Sequence, residues 1–137
     1  MKLALAVLLS FPGLAICATR NVGKVAGPDY DTATVVSVTA IVTEVRDVQT
    51  APLDGIHLTG KVNGEPIRVY VAPAAFVKAF GVTFKKNDVI EITGSKVTFE
   101  GSSLILAREI TLFRTDMMLR DASGKPFWLN SEPPSSR

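Results

Sequence analysis

Asn63-Gly64 stands between two runs of alternating residues, 55–62 and 65–72, and constrains this chain more than any other feature. A two-residue type I′ turn needs positive φ at both central positions, which Asn and Gly tolerate. With that loop, Val62 faces Glu65, and the rest of the register follows. Leu58 then lies opposite Val69, Ile56 opposite Val71 and Gly60 opposite Ile67, all on one face. His57 meets Tyr70, Thr59 meets Arg68 and Lys61 meets Pro66 on the other. A slip of one residue would mix the two faces. The hairpin therefore has a core face and a polar face that carries one aromatic.

Further strands flank this hairpin. Residues 34–48 are rich in Val, Ile and Thr and long enough for a curved first strand. Pro73 ends the third strand and suits a helix start; Phe76, Val77 and Phe80 follow at helical spacing, and Gly81 closes the turn. This apolar stripe reads as core packing, a short plug for a small barrel. Lys86-Asn87-Asp88 turns the chain into a fourth strand, 89–99, in which Gly94 marks a bulge or sharp bend. Glu100-Gly101 forms another turn, and 103–111 makes a fifth strand. Three strands, a helix, then two strands is the order of an OB-fold. A sandwich would lack the mid-chain helix, and a ferredoxin-like fold would need two full-length ones. The expected fold is all-β: a five-stranded OB-type β-barrel with one short helix between strands 3 and 4, spanning residues 33–129.

The N-terminus reads as a secretory signal over residues 1–18. Lys2 supplies the charge, residues 3–9 an apolar run, and Ser10, Pro12 and Gly13 interrupt it. The run is shorter than the roughly 20 residues needed to span a bilayer, so cleavage after Cys17 or Ala18 is expected, with no transmembrane segment left. The mature protein is expected in the periplasm or outside the cell. Cys17 is the sole cysteine. Leu14-Ala15-Ile16-Cys17 resembles a lipobox, but Ile16 is not the small residue such a site wants. Cleavage beyond Cys17 leaves no disulfide, and stability then rests on packing. Residues 19–32 read as a flexible lead-in and 130–137 as a disordered tail.

Charge narrows the function. With 15 basic and 13 acidic residues the chain carries only +2, and it lacks the basic stripe that releases counterions from a polyanion. His57 is the only histidine, too little for a zinc site without cysteine. Neither a Gly-x-Ser-x-Gly elbow nor a P-loop is present. No cofactor, metal or catalytic residue is expected. His57, Thr59, Arg68 and Tyr70 share the outer face of strands 2 and 3, the face OB-folds commonly use for binding; they are the candidate ligand contacts, although each is also an ordinary barrel-surface residue type. Near the C-terminus, residues 121–124 read as a tight turn. There Arg120, Asp121, Lys125 and Trp128 are candidates for a structural or partner-binding role. Trp128 is expected to fold back over the barrel, pinned by Arg120 and Asp121, or else the Phe127-Trp128 pair docks a partner.

A resemblance adds to this. Val89-Ile90-Glu91-Ile92-Thr93-Gly94-Ser95-Lys96-Val97, Ala107-Arg108-Glu109-Ile110 and the closing Leu119-Arg120-Asp121-Ala122-Ser123-Gly124-Lys125-Pro126-Phe127-Trp128 resemble small secreted bacterial OB-fold proteins, most of them uncharacterised. The similarity runs over about residues 36–128. More distantly, the fold and export signal are similar to the periplasmic OB-fold stress-tolerance proteins, which implies binding of small cationic or other small ligands rather than nucleic acid. The expected function is a non-enzymatic exported module that binds a small ligand or an envelope protein. The alternatives are a nucleic-acid-binding OB-fold, which near-neutral charge and 7% aromatic content disfavour, and an accessory subunit of an exported redox or envelope assembly.

Overall fold

The computed structural model describes residues 27–129. The expected leader, residues 19–26 of the lead-in and the tail 130–137 lie outside the described residues. Six strands form in chain order: β1 (Val35–Val48), β2 (Gly55–Val62), β3 (Glu65–Ala72), β4 (Val89–Phe99), β5 (Ser102–Leu112) and β6 (Thr115–Met118). One short helix, α1 (Ala74–Lys78), separates β3 from β4.

The hairpin forms as the sequence dictates. Asn63 and Gly64 have φ of 51° and 84°, as a type I′ turn demands. Leu58 pairs with Val69, His57 with Tyr70 and Thr59 with Arg68. At the open end the register departs from expectation: Ile56 pairs with Ala72, not Val71, across an irregularity between Ile56 and His57. Gly55 explains it. Its φ is 133°, and a Cβ there would collide with the Ala72 carbonyl oxygen. The backbones meet too closely for a regular ladder.

β1 joins the two halves of the barrel. Residues from Val35 to Ile41 pair with β4, and those from Ile41 to Val48 pair with β2, with a register shift between Val42 and Glu44. That shift lets one long strand bend across both partners. β4 and β5 are antiparallel, and their register shifts between Thr93 and Gly94, at the glycine expected to mark a bend. A Cβ at Gly94 would strike the Leu106 carbonyl oxygen. Two parallel pairs, Val69 with Ile105 and Tyr70 with Leu106, close the ring. The result is a closed five-stranded OB-type barrel, β1-β2-β3-β5-β4, with β6 hydrogen-bonded to β5 outside it.

The interior is filled by Val42, Leu58, Val69, Val71, Ile90, Ile92, Ile105 and Ile110, none more than 3% exposed. Each such side chain contributes roughly 1.5–3 kcal/mol on burial. α1 seats Val77 in this core, with Phe76 and Phe80 packed beside it. A second cluster lies outside the ring: Tyr70, Leu104 and Leu106, covered by Tyr30, Leu53, Val97, Phe99 and Trp128. β5 is therefore buried on both faces over its run Leu104-Ile105-Leu106-Ala107.

The end of the lead-in, expected to be flexible, is seated on the barrel over residues 27–32. The Asp31 amide donates to Ser95 Oγ at 3.0 Å, and Thr34 Oγ1 lies 2.9 Å from the same atom. Ser95 is fully buried, so these contacts satisfy a polar group that would otherwise be costly to bury.

Candidate functional site

Tyr70 is not a surface residue. It points out of the barrel, as its register requires, but is only 3% exposed. Trp128 packs edge-on to its ring at 6.2 Å and His57 at 5.1 Å. Its hydroxyl donates to the Asp54 carbonyl at 2.9 Å. Burial pushes that hydroxyl far above the ordinary tyrosine range, the Asp54 carboxylate adds to the shift, and the Arg120 charge opposes it. The second apolar cluster has filled the middle of the outer face on which a ligand contact was expected.

The other expected contacts act mainly on loops. His57 is half-buried, and its Nε2 donates to the Leu53 carbonyl at 2.6 Å. Because a carbonyl only accepts, this nitrogen carries the proton. Arg68 donates from one terminal nitrogen to the Phe99 carbonyl at 2.8 Å and, at longer range, to the Ser102 carbonyl. Its Nε approaches the Ser103 carbonyl at 3.4 Å. Thus His57 and Tyr70 tie down the β1–β2 loop (residues 49–54), and Arg68 ties down the β4–β5 turn. Thr59 offers its backbone carbonyl to Thr43 Oγ1 at 3.1 Å.

Between the two anchored loops lies an open cleft of about 220 Å³. Arg46, His57 and Arg68 line it from three adjacent strands; Thr50, Pro52 and Leu53 come from the β1–β2 loop, Phe99 from the end of β4 and Glu100 from the β4–β5 turn. Thr59 and Tyr70 do not line it. Arg46 and His57 are direct cross-strand partners. A cleft with walls fixed by side chains of the barrel is preorganised for binding. Among the described residues, no group of three or more His, Cys, Asp or Glu side chains is placed to hold a metal ion.

The C-terminal candidates do separate work. Trp128 folds back over the barrel as expected and bridges both clusters, with Phe76 at 5.5 Å on its other side. Arg120 holds it: the guanidinium lies 5.1 Å from the Trp128 ring and 5.6 Å from the Tyr30 ring, and its Nη1 donates to the Gly124 carbonyl at 2.9 Å. Arg120 is 7% exposed. Burial lowers its affinity for a proton, while Tyr70 and Tyr30 act the other way. Its Nε and the Tyr30 hydroxyl are buried with no hydrogen-bond partner among the described residues. Asp121 does not pin Trp128. Its carboxylate accepts from the Ser123 hydroxyl and from the amides of Ser123 and Lys125, which closes the turn. The Ser123 hydroxyl bond, followed by the Lys125 amide, stabilises the carboxylate and holds its pKa below the usual carboxylate range. The Lys125 residue is exposed and enters this turn through its backbone.

Residues 34–115 match the model of the MamS/MamX magnetosome protein family, which is more than half of the chain. The chain belongs to this family. No curated protein matches it. The MamS/MamX match runs from the end of the 3₁₀ turn at Thr32–Thr34 to the first residue of β6. It therefore contains every ring strand and both loops of the cleft, and it stops before the Arg120–Trp128 segment.

Several residues of the cleft escaped the sequence reading. Arg46, Thr50 and Pro52 reach His57 through the β1–β2 pairing and its loop, whereas Phe99 at the end of β4 and Glu100 in the turn after it arrive only by ring closure. The second cluster, by contrast, had a signal. Val69-Tyr70-Val71-Ala72 and Leu104-Ile105-Leu106-Ala107 are unbroken apolar or aromatic runs, the mark of strands covered on both faces.

Proposed function

We propose that this member of the MamS/MamX family is an exported, non-enzymatic binding module that acts in the periplasm or on the cell envelope in association with the magnetosome. Its barrel receives a small ligand or a segment of an envelope protein in the cleft between the β1–β2 loop and the β4–β5 turn. The observation that carries this reading is the anchoring of both cleft walls by strand side chains: Leu53 and Asp54 carbonyls by His57 and Tyr70, the Phe99 carbonyl by Arg68. OB-folds bind through the face of strands 2 and 3 and these same two loops. A small ligand is also what the resemblance to the periplasmic stress-tolerance proteins implies.

Two measurements test the proposal. Intact mass of the exported protein should show loss of the leader near Cys17 or Ala18; a species retaining Met1, or one with a diacylglyceryl group on Cys17, contradicts the proposed processing. A photo-crosslinking residue at Thr50 or Glu100 should capture a discrete product in the native host, or native mass spectrometry should show a co-purified small molecule displaced by blocking that position. The same residue at Asn63, in the distant hairpin turn, should do neither. Absence of both signals from the cleft positions rules out the binding role.

A further inference from the structure

We infer that the cleft is a site for one small oxyanion, a carboxylate or phosphate group carried on a small molecule. This rests on the binding role proposed above and gives it a chemistry. Two guanidinium side chains reach the cleft, Arg46 from β1 and Arg68 from β3, on either side of His57 on the strand between them. Among the described residues, the Arg46 guanidinium has no hydrogen-bond partner, and one terminal nitrogen of Arg68 is unused while the other holds the Phe99 carbonyl. A guanidinium presents a planar fork of donors that matches a carboxylate or a phosphate, and it keeps its charge at any physiological pH. Pro52 and Phe99 supply an apolar lining beside these donors. Such a lining lowers the local dielectric and strengthens the attraction.

Size and sign set the limits. The cleft, about 220 Å³, is smaller than the roughly 300–1,000 Å³ of sites that hold drug-sized ligands. One headgroup fits it. Glu100 on the β4–β5 turn is the single acidic residue of the lining. A second negative group would be driven against it, so the site selects a lone oxyanion over a polyanion.

The experiment is an NMR titration of the full mature protein, with three probes in separate arms: inorganic phosphate, acetate and, as a cation, spermidine. Saturable shifts confined to the amides of residues 46–57 and 99–101 are expected with phosphate or acetate and not with spermidine. The tighter of the two identifies whether phosphate or carboxylate is preferred. Arg46→Gln, an exposed change that leaves the barrel intact, should weaken that binding about tenfold or more, the loss expected for a charged hydrogen bond. Glu100→Gln should tighten it, and Lys78→Gln on α1 should leave it unchanged. Equal binding by Arg46→Gln and the parent overturns the inference. So does a cleft that responds to spermidine alone, although the cleft would then stand as a binding site. If no probe shifts the cleft but crosslinking at Thr50 or Glu100 succeeds, only the oxyanion chemistry falls. If both fail, the binding role falls as well.

Discussion

Replacing Tyr70 by alanine should unfold this protein as readily as a change inside the barrel. The side chain lies on the outer face of β3, where truncation usually costs little. Here it is 3% exposed and packed between His57, Leu104, Leu106 and Trp128. An aromatic side chain buries about 150–250 Å², which at about 25 cal/mol per Å² gives about 4–6 kcal/mol as an upper bound. Aromatic-to-alanine changes in cores cost about 3–5 kcal/mol, and that is the value expected for Tyr70→Ala. Leu58→Ala, at 2% exposure inside the ring, should cost about 2–5 kcal/mol. Tyr70→Phe keeps the packing and loses only the bond to the Asp54 carbonyl. It should cost about 1 kcal/mol. Urea unfolding followed by the fluorescence of the single tryptophan measures all three, because Trp128 rests on Tyr70. pH adds a second check. Burial raises the Tyr70 hydroxyl above its unfolded value, so the fold favours the neutral form. That contribution is complete below the unfolded value of about 10 and is lost as pH climbs past it. Tyr70→Phe should therefore soften the alkaline loss of stability. A cost below about 1 kcal/mol for Tyr70→Ala, with Leu58→Ala severe, would refute the reasoning and return Tyr70 to the surface.

Three other perturbations follow from the same structure. Arg120→Ala should cost about 2–4 kcal/mol, since it removes the plate between Tyr30 and Trp128 and strands the Gly124 carbonyl; thermal unfolding and a red-shifted Trp128 emission would show it. Gly94→Ala should cost more than about 2 kcal/mol, because its Cβ meets backbone at the β4–β5 bulge, where little can yield. Phe113→Gly should hold or raise stability by up to about 1 kcal/mol, since Phe113 is 80% exposed at φ 58°; a clear loss in chemical denaturation would contradict this.

The barrel was legible because its signals are local or follow from alternation. Asn63-Gly64 sets one hairpin, Gly94 one bend, and the strand–helix–strand order leaves few topologies. β6 was not legible for a physical reason. Its turn is Phe113-Arg114, without the Gly, Asn or Asp that usually supplies positive φ, yet Phe113 adopts φ 58°. Tertiary pairing with β5 imposes a conformation that the local sequence does not advertise. The break in register at Ile56 is of the same kind. Only the close approach of Gly55 to Ala72 reveals it.

The candidate site shows how far alternation carries such a reading. It assigns Tyr70 correctly to the outside of the ring and His57 and Arg68 to the same face. Whether an outward side chain meets water depends on segments distant in sequence. Tyr30 arrives from before β1, Leu53 from the β1–β2 loop and Trp128 from beyond β6, and together they bury Tyr70. What they leave open is the strip beside it, where His57 and Arg68 hold the two loops apart and Arg46 stands at the edge. The side chains nominated as contacts therefore build the cleft more than they fill it. Ligand chemistry in this barrel then rests on residues that tolerate change without loss of the fold: Arg46, Thr50 and Glu100 are exposed and lie outside both apolar clusters. One scaffold can thus keep its cleft and change what the cleft accepts.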